Sequence, residues 1–360
     1  MPKDKKKSAP VLEKVIDFGK QLFATVLRSR KGSLTELSRL LRFQGGTKGF
    51  EREYNRLVPL TNELKVAFRK SLLDQLPKDG LRLGLIDDTS IKKTGKNFPK
   101  QQKHHDHNND TFYSGMKVLS CGLYQKGKVA IVSSEIVGKD DNKLEVAKHG
   151  VDKLVTDFMV DIFLFDSWYC KSPLIDHIQD KKKLFISRLR CDTKAEFGEE
   201  LERLDALAEG LLHSEYKHVK IKGKSYWIIE LTMHLKALGT LRVIISKEGQ
   251  HEKPIFLVTN VYNFSAKFIV SLYLRRFAIE VFFKDAKQYL NFETFMCRKS
   301  QKWDLHLHLI QILHWVIQKK KSISKTVRDI RENIDKCLLF INQSELVMKF
   351  FGELRKICLT

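Results

Sequence analysis

No stretch of this 360-residue chain approaches the roughly 20 consecutive apolar residues that a bilayer-spanning helix requires. A spanning segment is therefore not expected, and no membrane is counted among the expected partners. The opening segment MPKDKKKSAP has lysines with no apolar run behind them, so it does not read as a secretory signal. The six cysteines (Cys121, Cys170, Cys191, Cys297, Cys337, Cys358) are scattered, and none forms a Cys-x-x-Cys pair. That argues against a zinc ribbon and against a disulfide framework, and six thiols fit the reducing cytoplasm. Internal repeats are lacking, and no helix-turn-helix pattern is clear in the first 80 residues.

What the chain does have is positive charge: 65 Lys+Arg against 43 Asp+Glu, a formal +22. Such a field attracts polyanions, with nucleic acid the first candidate and anionic membrane surfaces the alternative. Hydrophobic content of 42% and 23 phenylalanines supply a sizeable core, which excludes a disordered chain.

Periodicity divides the sequence into five stretches. Residues 1–79 read as a basic helical domain suited to DNA: a lysine-rich tail at 1–9, then helices at 11–28, 33–43 and 59–76. Ser33 with Glu36 three residues on makes a capping box for the second of these. At 80–191 the texture becomes α/β, with strands LRLGLID, MKVLSCGLY, KVAIVSSEIV, VDIFLFD and LFISRLR and a helix at 144–158. Residues 192–265 read as an insertion that begins with an acidic helix, EFGEELERLDALAEGLL, and continues as strands. Helices return at 266–325, and a helical segment at 326–360 ends in a basic amphipathic helix.

Three acidic positions stand out. LRLGLID ends on Asp87-Asp88, VDIFLFD ends on Asp166, and Glu280 lies in YLRRFAIEVFFKDAK. Functional groups of open α/β sheets gather at the carboxyl ends of strands. At about 100° per helical residue, Tyr273, Arg276, Glu280, Lys284 and Lys287 fall on one stripe roughly 80° wide beside an apolar stripe. Singly, a strand-ending aspartate is a turn residue and a polar stripe a solvated face. Together, in a strongly basic chain, they suit phosphodiester chemistry with two divalent ions roughly 3.5–4 Å apart.

The spacing Tyr273-x2-Arg276-x3-Glu280-x6-Lys287 resembles the Y-R-E-K signature of DDE-type bacterial insertion-sequence transposases. DDTSIKKTGKNF resembles their first-aspartate motif and FLFDSWY the second, and the family carries a β-rich insertion where this chain has one. The resemblance spans about residues 80–320. It implies an RNase H-like mixed sheet flanked by helices, interrupted by that insertion, and a triad of Asp88, Asp166 and Glu280 acting as catalytic groups and metal ligands. In the family the ligand is the aspartate directly before threonine, which selects Asp88; Asp87, on the opposite face of the strand, stays the alternative. Mg²⁺, as two ions with Mn²⁺ able to substitute, is the implied cofactor. Double-stranded DNA, as terminal inverted repeats and target, is the implied partner of a homodimer working at the nucleoid. Hydrolysis at the element ends and transfer of the freed 3′-hydroxyl is the implied reaction. An RNase H-like nuclease without strand transfer, and a non-enzymatic DNA-binding descendant, remain open beside it.

By the same resemblance Arg276 and Lys287 hold phosphates, with Tyr273 against the same backbone and Lys284 sharing the face. Arg298, just past this helix, is a further candidate for phosphate contact, and Trp227, in the insertion, for stacking on an unpaired base. Trp168 shapes the site wall or packs. His104-His105-Asp106-His107 reads as a solvated or DNA-facing loop rather than a metal site, and no ligand role is assigned to His306, His308 or His314.

Overall fold

The computed structural model describes residues 9–106, 109–197, 200–249, 252–318 and 333–359. Residues 1–8 of the basic tail, His107 and residues 319–332 of the expected helical segments lie outside them. Among the described residues no helix is long and apolar enough to cross a membrane.

The centre is an RNase H-like sheet. Strands β1 (Leu83–Lys92), β3 (Thr111–Gln125) and β4 (Lys128–Val137) form an antiparallel meander. Its second turn places Lys126 and Gly127 at φ 45° and 83°, the two positive values that a tight hairpin of matching twist requires. The short β2 (Gln102–Asp106) lies on the same outer edge of β3 as β4. On the other side β1 pairs in parallel with β5 (Ile162–Phe165), and β5 with β6 (Leu184–Leu189). All four residues of β5 are buried, as the unbroken apolar run predicts for a strand covered on both faces.

Helix α5 (Lys143–Phe158) covers one face of this sheet. Its Gly150 comes so close that a Cβ there would stand 2.2 Å from the Cys121 sulfur. The opposite face carries α9 (Phe277–Tyr289) and α10 (Ser300–Gln318). Helix α6 (Ser172–Asp180) joins β5 to β6.

Past β6 the chain continues the sheet rather than leaving it. A hairpin, β7 (Lys194–Phe197) and β8 (Glu200–Arg203), replaces the first half of the expected acidic helix, and only α7 (Leu204–Gly210) is helical. The reason is pairing: β7 finds a strand partner in β10 at Ala195 and Glu196, which local helix propensity cannot foresee. β9 (Lys217–Ile221), β10 (Lys224–Leu235), β11 (Gly239–Glu248) and β12 (Ile255–Thr259) follow, and β12 returns antiparallel to β6. Core and insertion thus share one twelve-stranded sheet.

Helices α1 (Ala9–Arg28), α2 (Leu34–Leu41), α3 (Gly46–Leu57) and α4 (Thr61–Leu73) precede it, with Ser33 capping α2 through the Glu36 N–H. The last helices, α11 (Ile334–Asn342) and α12 (Glu345–Leu359), pack on α1 and α4 respectively.

Candidate active site

Antiparallel pairing with β3 carries β1 straight through Asp87, Asp88 and Thr89, so the carboxylates lie within a strand and not at its end. Room beside them comes from β5, whose pairing with β1 ends at Ile86–Phe165 and leaves Asp166 beside the strand. Successive side chains of a strand take opposite faces. Asp88 shares the α5 face with Ile86 and Cys121, and Asp87 takes the α9 face.

Their surroundings differ accordingly. The Asp88 carboxylate meets the Lys143 ammonium at the start of α5 and Lys117 Nζ at 3.3 Å, and Tyr169 Oη donates to it at 2.6 Å. Burial alone would raise its pKa, but the two lysines and the Lys143 and Tyr169 hydrogen bonds hold it below the ordinary value. Asp87 receives Arg276 Nη1 at 2.9 Å on Oδ2 and the Asp88 N–H at 2.8 Å on Oδ1. Burial pushes Asp87 up to about 7, with Arg276 opposing the rise and the neighbouring Asp166 adding to it.

The expected helix over 270–290 is interrupted. Helix α8 (Ala266–Tyr273) gives way to a 3₁₀ turn at Leu274–Arg276 before α9 begins. A 3₁₀ turn advances about 120° per residue, so three residues rotate the stripe by roughly 60°. The five polar groups therefore part. Arg276, Glu280, Lys284 and Lys287 line a cavity of about 480 Å³ with Asp87, Asp88 and Asp166. Tyr273 lines a neighbouring cavity of about 440 Å³ with Tyr226 and Phe277, and Arg276 borders both.

Within the first cavity, Arg276 Nη2 donates to Glu280 Oε1 at 2.5 Å, so one guanidinium ties Asp87 to Glu280. Asp166 Oδ1 accepts the Trp168 N–H at 2.9 Å. Lys287 donates to the Ser90 carbonyl at 2.8 Å, and burial lowers its pKa. Lys284 is exposed. Arg298 is exposed beyond the cavity and donates to the Lys96 carbonyl at 3.0 Å.

Trp227 is not brought to the cavities. Tyr226 turns to the second one, and Trp227, its neighbour on β10, faces the other side of the sheet against His218 at 4.9 Å. The expected histidine loop is the strand β2, because β3 extends far enough to pair with it; His104 is buried and stacks on Tyr113, and His105 packs on Phe112. Lys117, Lys143 and Tyr169 escaped the sequence reading. Tyr169 had a local signal, three residues past Asp166, but the lysines come from other elements.

Carboxylates alone line this cavity as anionic donors, the hard oxygen set that suits Mg²⁺ or Mn²⁺. Asp87 is mostly buried, and burial with the neighbouring Asp166 raises it to about 7 in spite of Arg276, so further positive charge there would be favourable and the residues present fit a divalent ion. Among the described residues no three His, Cys, Asp or Glu side chains converge as ligands, and Arg276 donates to both Asp87 and Glu280.

An RNase H-like sheet presenting aspartates from two adjacent parallel strands to a glutamate-bearing helix defines a protein of the DDE class. Residues 78–316 match the model of the transposase DDE domain, and the chain belongs to that family. It is also similar to a probable transposase for insertion sequence element IS5377 of Geobacillus stearothermophilus, 26% identical over 134 residues. That match covers 37% of this chain and 32% of the relative, about a third of the relative's length.

Proposed function

We propose that the chain is an insertion-sequence transposase that cuts DNA at the element ends and joins the freed 3′-hydroxyl to target DNA. Its triad in this reading is Asp87, Asp166 and Glu280, with Asp88 behind it as a support. One observation carries the assignment: Asp87 and Glu280 share the Arg276 guanidinium, whereas Asp88 is held by Lys117, Lys143 and Tyr169 on the α5 side.

Lys284 and Lys287 rim the cavity and would receive the phosphates flanking the scissile bond. Arg276 would clamp a phosphate from the cavity's second side, with Tyr273 and Phe277 beneath its guanidinium at 5.7 and 5.3 Å. Arg298 extends the basic edge outward. Divalent ions on the three carboxylates, Mg²⁺ or Mn²⁺, would supply Lewis acidity toward the attacking and leaving oxygens. In the first reaction water attacks phosphorus and the bond to the 3′-oxygen breaks, leaving a 3′-hydroxyl and a 5′-phosphate. In the second, that hydroxyl attacks a target phosphodiester and displaces its 3′-oxygen. A homodimer holding two ends is part of the proposal.

The test uses purified protein, Mg²⁺ and duplexes carrying the inverted repeats that flank its gene. Asp87→Ala, Asp166→Ala and Glu280→Ala should each abolish cleavage and keep binding to the ends. Strand cleavage by Glu280→Ala would overturn the triad, and cleavage without joined products would leave a nuclease in place of a transposase.

A further inference from the structure

Arg276 has two occupations that exclude each other. In this structure its guanidinium lies between Asp87 and Glu280, donating Nη1 to one at 2.9 Å and Nη2 to the other at 2.5 Å. Both amino groups are thereby spent on the carboxylates that the proposed triad assigns to metal. A forked guanidinium can bridge two carboxylates in this way, and the single ammonium of a lysine cannot reproduce the geometry. As a phosphate clamp, the same group would have to turn its donors toward DNA.

The surroundings permit that turn. Arg276 borders both the carboxylate cavity and the adjoining 440 Å³ cavity, where Tyr273, Phe277 and Arg188 stand. Its Nε is buried without a hydrogen-bond partner, and the Tyr273 and Phe277 rings that flank its guanidinium belong to the adjoining cavity, the side to which it would turn. The Asp87 carboxylate is only 13% exposed and gains from a counter-charge whichever cation provides it.

We infer that Arg276 is a placeholder cation: in the DNA-free protein it ties Asp87 to Glu280 and competes with a divalent ion for them. A DNA phosphate that draws the guanidinium away opens the carboxylates to the ion. The inference rests on the triad proposed above. Metal and DNA are then positively coupled through one side chain, and by reciprocity each strengthens the other by the same factor. A chain with +22 formal charge meets non-specific polyanions readily. A metal site completed only by a correctly seated phosphate would keep such encounters from ending in cleavage.

The experiment measures Mn²⁺ affinity by electron paramagnetic resonance of the free ion, first without DNA. Arg276→Lys keeps the charge and loses the fork, and it should bind Mn²⁺ about tenfold more tightly than the parent, within the usual range of coupling between sites. Lys287→Gln removes a charge from the same cavity without touching either acid, and its gain should be smaller. Adding a short DNA duplex should tighten Mn²⁺ binding more in the parent than in Arg276→Lys. Thermal unfolding of each variant confirms that the fold is retained. Equal Mn²⁺ affinity in the parent and Arg276→Lys, with binding lost in Asp166→Ala, would overturn the placeholder and leave the triad standing. Mn²⁺ binding that is absent throughout, or that survives Asp166→Ala unchanged, would overturn the triad and this inference together.

Discussion

Asp87 and Asp88 are adjacent in sequence, yet their substitutions should act in opposite directions. Asp88→Asn leaves Lys143 and Lys117 without their counter-charge, and both Asp88 and Lys143 are mostly buried. It should destabilise the fold by about 1–3 kcal/mol in urea denaturation, the cost of leaving a buried charge without its partner. Asp87 behaves differently because its pKa is raised to about 7 from an ordinary 3.8. The native protein keeps that proton up to about pH 7, while the unfolded chain releases it near 3.8. Stability attached to Asp87 therefore falls as pH rises between those values and stays low above them. Asp87→Asn removes the decline, so at pH 8 it should unfold at the same or higher urea concentration than the parent while losing cleavage. A marked loss of stability at pH 8 would contradict the surroundings described for Asp87.

At the scale of elements, much was legible because apolar periodicity is local. Strands β3 to β6 and helix α5 lie where their patterns place them, and Glu280, singled out by the Y-R-E-K spacing, lies on a helix that lines the cavity. What was not legible depends on pairing. Alternation shows that Asp87 and Asp88 face opposite sides, but only the packing of α5 and α9 tells which side holds the glutamate. The 3₁₀ turn that parts Tyr273 from Glu280 also leaves no signature, since Leu274, Arg275 and Arg276 are ordinary helix formers. Close helix packing yields a prediction of its own. Gly150→Ala would drive a methyl into the Cys121 sulfur, lift α5 from the sheet and shift Lys143. Overpacking of this kind should lower stability by about 1–3 kcal/mol in urea denaturation. Helix α10 adds a pH dependence. Burial lowers His306 to about 3 and His308 to about 4, from 6.5. Both are held neutral in the fold and gain a proton on unfolding. Their contribution is intact above pH 6.5 and is lost as pH falls toward 4, with a slope of up to about 1.4 kcal/mol per pH unit for each. Melting temperatures recorded from pH 7.5 to 4.5 should fall more steeply in the parent than in His306→Phe, whose ring can keep the stack on Phe295.

For the whole molecule, the decisive feature is that the last helices complete the first ones. Phe350 and Phe351 of α12 pack on Phe23 of α1, and a Cβ at Gly19 would stand 2.9 Å from the Phe351 ring. Arg355 closes the same contact by a bidentate ion pair to Glu13. Buried on α12 are Leu346, Val347, Phe350, Phe351 and Leu354. At roughly 1.5–3 kcal/mol for each large apolar side chain, their burial is worth on the order of 10 kcal/mol. That is comparable with the about 5–15 kcal/mol by which a whole domain is stable, so its loss should destabilise the amino-terminal helices. The bundle is in turn fastened to the segment after α9: Asn291 Nδ2 donates to the Val26 carbonyl at 3.0 Å, and the Gly32 N–H donates to Thr294 Oγ1 at 3.1 Å. Truncation after residue 332 should therefore uncover the apolar faces of α1 and α4, raise binding of a hydrophobic dye and bring an unfolding transition below that of the intact chain. Phe350→Ala with Phe351→Ala should move the same transition in the same direction with the chain at full length. A truncated chain that melts like the parent and binds no more dye would show that the helices at the two ends stand independently.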